Sequence, residues 1–90
     1  MYINRVAKFR VLCIDIDKFY RSVLANLYNN ELCEFEEWMN MIAIYKYKID
    51  SHPSYYDTEI LKTKVIYMNK LRRLRFTLID IKGRKQYETI

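Results

Sequence analysis

The chain has 90 residues, of which 51% are hydrophobic and 16% aromatic, and its formal net charge is +5. This length fits a single small domain, and the apolar content excludes an intrinsically disordered chain. No apolar run approaches the roughly 18 residues of a membrane-spanning helix, and no signal-peptide or lipidation pattern is present. We therefore expect a soluble, cytoplasmic protein without a membrane partner.

The residue types that build metal sites and disulfide scaffolds are scarce. Cys13, Cys33 and His52 are the only cysteines and the only histidine. These are too few for a disulfide framework or a Cys/His metal cluster. We expect two reduced cysteines packed as small hydrophobic side chains, with no metal and no cofactor. The abundance of Ile, Lys, Asn and Tyr is typical of an AT-rich genome, which favours a phage or another mobile element as the source.

The first segment, 5–28, allows two interpretations. Its stretch "RVLCIDIDKF" alternates like a strand at Asp15 and Asp17. However, apolar residues recur at intervals of three and four through the whole segment, which is typical of an amphipathic helix. The residues of that stripe are Val6, Phe9, Cys13, Ile16, Tyr20, Val23 and Leu27. We predict a helix that Asn29 and Asn30 end.

The same stretch resembles two enzyme families. "VLCIDIDKFYRSVL" is similar to the opening strand and helix of Y-family DNA polymerases, and "DIDKF" to the start of diguanylate cyclase domains. Either resemblance implies that Asp15 and Asp17 hold a catalytic metal. The chain lacks a second carboxylate pair and a GGDEF loop, and 90 residues are too few for either domain. We expect surface aspartates that pair with Lys18 and Arg21, and no enzyme.

The second segment, 31–49, also predicts a helix. Glutamates are concentrated in its first turns and lysines in its last, which matches the helix dipole. Aromatic residues lie beside the glutamates, and we predict that Phe35 and Trp38 contribute to a partner interface. The four glutamates are Glu31, Glu34, Glu36 and Glu37.

The third segment, 56–81, keeps a heptad spacing of apolar residues with Lys64 as its one misfit. Ser54 or Asp57 can cap its start. The chain has one proline and one glycine. Pro53 separates the second and third segments, and Gly83 follows the third, where a helix C-cap favours glycine.

These patterns predict an all-α fold, an antiparallel bundle of three helices at about 5–28, 31–49 and 56–81. A sheet with several tight turns needs more glycine than this chain has. The alternative is an α+β fold with strands at 9–16 and 75–81 and a C-terminal hairpin, because "RVLCIDI" and "RFTLIDI" resemble each other.

The net charge lies entirely in residues 57–90, which hold nine lysines and arginines against four acids. Such a distribution favours phosphate backbones. We predict a nucleic-acid or nucleoprotein contact through the third helix and the tail. The predicted residues are Lys70, Arg72, Arg73, Arg75, Lys82, Arg84 and Lys85.

Several apolar residues lie outside the three predicted core stripes. Val65, Phe76 and Ile79 on the third helix are among them. With Phe35 and Trp38 they form the predicted partner interface, and we expect a homodimer. The sequence thus predicts a small regulatory binding protein. The alternative function is that of a protein–protein inhibitor or adaptor, of the kind that antagonises a host factor or a defence system, with the basic residues only conferring solubility.

Overall fold

The computed structural model describes residues 5–53 and 57–88, with side chains from 6–53 and 57–84. The chain folds into α1 (Arg5–Tyr28), α2 (Phe35–Ser51) and α3 (Thr58–Glu88), which pack on one another as a three-helix bundle. The described residues contain no strand. The predicted all-α bundle is therefore confirmed. The α+β alternative is wrong, because 9–16 and 75–81 are both helical.

The end of α1 is set by Asn30, as the sequence predicts. Its φ of 60° lies in the left-handed region, which asparagine tolerates better than most residues. The N–H of Asn30 donates to the carbonyl of Leu27 at 3.0 Å, and the N–H of Glu31 donates to that of Asn26 at 2.9 Å. This pair of bonds is a Schellman motif, which satisfies the last carbonyls of the helix and turns the chain.

The second helix begins four residues later than predicted. Glu31 is part of the turn at the C-terminal end of α1. The chain therefore reverses direction over the residues after Glu31, before α2 begins. Helical bonds start only where the N–H of Trp38 donates to the carbonyl of Glu34 at 2.9 Å. The helix continues two residues beyond the predicted end, to Ser51. His52 is extended, with a ψ of 130°, as expected for a residue before proline.

The third helix starts at an aspartate cap and runs past its predicted end. Oδ1 of Asp57 accepts hydrogen bonds from the N–H groups of Glu59 at 3.1 Å and Ile60 at 3.2 Å. The other candidate cap, Ser54, lies outside the described residues. The predicted end at 81 is wrong, because α3 continues to Glu88 and Gly83 has no left-handed φ.

The core follows the predicted apolar stripes. Lys64, the misfit of the third stripe, donates from Nζ to the carbonyls of His52 and, at 3.4 Å, Asp50. The positive charge of Lys64 complements the partial negative charge at the C-terminal end of α2. This contact explains why a lysine lies on the packed face of α3. The buried apolar residues are Phe9, Cys13, Ile16, Val23, Trp38, Ile42, Ile49, Ile60, Leu71, Leu74 and Leu78.

The bundle is long and thin, with extents of 56 × 22 × 17 Å. Three helices in such a bundle bury one side of each helix and leave the other in solvent. At 31 residues α3 is the longest of the three helices, and it presents a long outer surface to solvent.

Candidate nucleic-acid interface

The predicted basic residues of α3 do not form one surface, because three of them are held by other groups. Nζ of Lys70 lies 2.7 Å from Oδ1 of Asp17 on α1, and 4.7 Å from the ring centre of Tyr20. About two thirds of both charged side chains is buried. Lys70 therefore joins α1 to α3 and has little capacity left for a phosphate.

Lys82 and Arg84 are also engaged. Nζ of Lys82 lies 4.0 Å above the ring of Phe35 and 3.4 Å from Oε1 of Glu36, so it links α3 to the start of α2. Arg84 pairs with Asp80 one turn earlier at 2.9 Å. Lys85 is in α3, but its side chain lies outside the described residues. Sequence alone could not separate these residues from the others, since their partners are set by packing.

Arg72, Arg73 and Arg75 remain. All three are exposed, and within residues 6–53 and 57–84 none of them forms an ion pair. Helical geometry, at about 100° per residue, places Arg72 and Arg75 toward α2 and Arg73 toward α1. On the α1 side, Arg73 borders a groove that Tyr20 and Lys70 also line.

A fourth cation comes from α2 and was not predicted. Burial lowers the pKa of Lys46, and the positive charges of Arg75 and Arg72 lower it further. This influence places Lys46 within electrostatic range of both arginines. We name Lys46, Arg72, Arg73 and Arg75 the cation patch. No sequence signal identifies Lys46, because only the pairing of α2 with α3 brings it there.

The residues of the predicted partner interface fall into two groups, one packed in the core and one exposed. Trp38 is buried, with 4% of its surface exposed, and Phe35 packs against the core beneath Lys82. Both were wrongly assigned to a surface, because their stripe faces the other helices. Val65, Phe76 and Ile79 are exposed, as expected of surface residues.

Phe76 lies within the cation patch. It is 67% exposed, and Arg72 and Arg73 precede it by four and three residues. Residues at these spacings are neighbours on a helix surface. An exposed aromatic residue thus has two arginines as its neighbours on the surface of α3.

Asp17 is a structural contact between helices. Its carboxylate accepts hydrogen bonds from the Tyr67 hydroxyl at 2.8 Å and from Lys70 at 2.7 Å. Burial alone raises the pKa of Asp17, but the bonds from Lys70 and Tyr67 and the charges of Lys70 and Arg21 outweigh it, so the pKa lies below its ordinary value. The expected local pair with Arg21 is thus replaced by a contact with α3. Burial and the Asp17 carboxylate raise the pKa of Tyr67 to about 12.

Asp15, by contrast, is exposed. Within the described part of the chain, no group of three or more Cys, His, Asp or Glu side chains is placed to hold a metal ion. Cys13 is buried, as expected, whereas Cys33 is exposed in the turn after α1 and is not the packed residue that we predicted.

Comparison with models of known families, with curated proteins and with solved structures gives no match for this chain. In the described ranges, no helix is both long enough and apolar enough to cross a membrane. The function that fits this chain is therefore argued from the geometry of its own surface.

Proposed function

We propose that this protein is a small, non-enzymatic regulatory protein that binds nucleic acid through the cation patch. The observation that carries the proposal is the exposure of Arg72, Arg73 and Arg75 without a carboxylate partner in the described residues. Other basic residues of α3, such as Lys70 and Arg84, have one. Among the described side chains of α3, Lys62 is also exposed without one, so the patch is distinguished by three such cations within four residues.

Burial lowers the pKa of Lys46 most, and the charges of Arg75 and Arg72 lower it further, which reflects repulsion among these three cations. A phosphate backbone relieves it and releases condensed counterions in the process. Four phosphate contacts on duplex DNA correspond to a slope of about −3.6 in log affinity against log salt concentration, or about −2.8 on a single strand. Binding is then weak at physiological salt and strong at low salt.

The test is the affinity for a labelled oligonucleotide, measured by fluorescence anisotropy over a series of salt concentrations. The double variant Arg72→Glu/Arg75→Glu is expected to abolish binding. A matched control, Lys8→Glu/Arg10→Glu, makes the same change in net charge on exposed residues of α1. The proposal fails if the wild type does not bind, or if the two double variants lose affinity equally, because the patch would then have no special role.

We also propose a second candidate, in which an exposed apolar stripe of α3 pairs two copies of the chain or binds another protein as an inhibitor or adaptor. Leu61 and Val65 are exposed and Met68 is half-buried, at successive intervals of four and three residues. This spacing repeats that of the core, but these residues line an open groove together with Asp50 of α2. Exposed apolar stripes of this kind favour association.

A further inference from the structure

Phe76 is an exposed aromatic residue whose neighbours on the previous turn of α3 are arginines. It carries no polar group, yet 67% of it is exposed. Arg72 and Arg73 flank it on the previous turn, and Arg75 precedes it in the chain. A protein partner that buries this ring has to remove water from the neighbouring guanidinium groups, which is unfavourable unless each finds an anion.

A nucleic acid supplies both kinds of contact at once. A nucleobase offers a flat apolar face for the ring, and the phosphates on either side of it offer anions for the arginines. In a duplex the base faces are stacked on each other, so a ring reaches one only by unstacking a base step, which costs free energy. In a single strand they are accessible.

We propose that Phe76 is a stacking platform that makes the cation patch selective for single-stranded nucleic acid, an inference that rests on the proposed function. Arg72, Arg73 and Arg75 hold the phosphates that flank the stacked base. The selectivity is for strandedness, because every base has a face that can stack on the ring.

The experiment uses the full chain and three probes with equal numbers of phosphates: an oligothymidylate, a hairpin duplex and an abasic strand. Phe76→Ala is expected to weaken binding to the oligothymidylate by roughly 5- to 150-fold, the range that stacking of one base accounts for. It is expected to leave the duplex and the abasic strand unchanged. Phe76→Trp is expected to restore the affinity for the oligothymidylate.

Tyr28→Ala is the matched control, since this exposed aromatic residue ends α1 outside the cation patch. Folding is not in question for Phe76→Ala, because alanine at an exposed helical position raises helix propensity. Equal wild-type affinity for all three probes, or equal losses in the two alanine variants, overturns the inference. Unchanged oligothymidylate binding by Phe76→Ala also overturns it while leaving the nucleic-acid proposal standing. If the wild type binds no probe, both proposals fail together.

Discussion

Asp17 shows how a single side chain fixes the packing of two helices. Its two carboxylate oxygens each accept one bond from α3, from Tyr67 and from Lys70. Lys70 in turn lies near the rings of Tyr20 and Tyr67. Because apolar contacts are non-directional, such a bridge contributes to the register of α1 against α3 in a way that the core alone does not.

Asp17→Asn is expected to lower the free energy of unfolding by about 1–2 kcal/mol at neutral pH, because it removes a charged acceptor from two hydrogen bonds. The value is at the low end for charged partners, since about a third of both side chains is exposed. Denaturant unfolding followed by circular dichroism measures it. Asp15→Asn is the control, and as an exposed substitution it is expected to change stability by less than about 0.5 kcal/mol.

The pH dependence of the free energy of unfolding provides a second test of the contact between Asp17 and α3. The folded pKa of Asp17 lies below the ordinary value of 3.8. Its contribution is therefore complete above that pH and is lost as the pH falls through the lowered value. The stability difference between wild type and Asp17→Asn should shrink in acid. A difference that stays constant through this range would show that the carboxylate charge has no part in it.

Residue roles could be predicted from the sequence only where periodicity decides them. Ile16 and Leu74 lie on their stripes and are buried. Trp38 lies on its stripe as well, but its aromatic character suggested a partner surface. Asp17 and Lys46 depend on which helix faces which, and one sequence contains no information on that pairing. The sequence therefore predicted the exposed arginines together with Lys70, Lys82 and Arg84 as one basic set. The structure separates them, because the last three have carboxylate partners.

At the scale of elements, α3 differs most from expectation. Gly83 suggested a C-cap, yet it is an interior residue of a helix that extends to Glu88. An ion pair between Asp80 and Arg84 spans it at 2.9 Å. A C-cap requires a left-handed residue, and glycine permits that conformation without imposing it. The late start of α2, by contrast, is caused by a cap that does form. The Schellman motif at the end of α1 includes Glu31, so Glu31 cannot begin α2.

Gly83→Ala is expected to raise the free energy of unfolding by about 0.5–1 kcal/mol, because alanine restricts the unfolded chain and favours the helix. No atom outside the local helix backbone lies within 4 Å of the added Cβ. Denaturant melts measure the change. Ala25→Gly, at an exposed position inside α1, is the converse control and should lose a similar amount. Destabilisation by Gly83→Ala would instead support the C-cap that the sequence suggested.

At the scale of the whole molecule, the narrow bundle leaves large apolar side chains in solvent on all three helices. Val11, Ile44 and Val65 are examples, one from each helix. A chain of this size buries little more than about 60% of its unfolded surface, so further burial through association is a substantial stabilising term. The fold class could be predicted from the periodicity and from the scarcity of glycine and proline. Which apolar residues stay exposed could not, because it depends on how the helices pack against one another.

The stripe of Leu61, Val65 and Met68 leads us to expect a homodimer. An antiparallel pairing of two α3 helices centred on Val65 buries the stripe of each copy against that of the other, and the symmetric arrangement closes on itself.

Size exclusion with light scattering, after nuclease treatment at high salt, is expected to give twice the chain mass of 11.1 kDa. Val65→Glu should give the monomer, because it buries two carboxylates at the symmetry axis. Val11→Glu changes a valine of nearly equal exposure, 58% against 60%, on α1 and should remain dimeric. If the wild type is a monomer at every concentration, α3 does not pair with itself. If both variants are dimers, the two copies meet on another face.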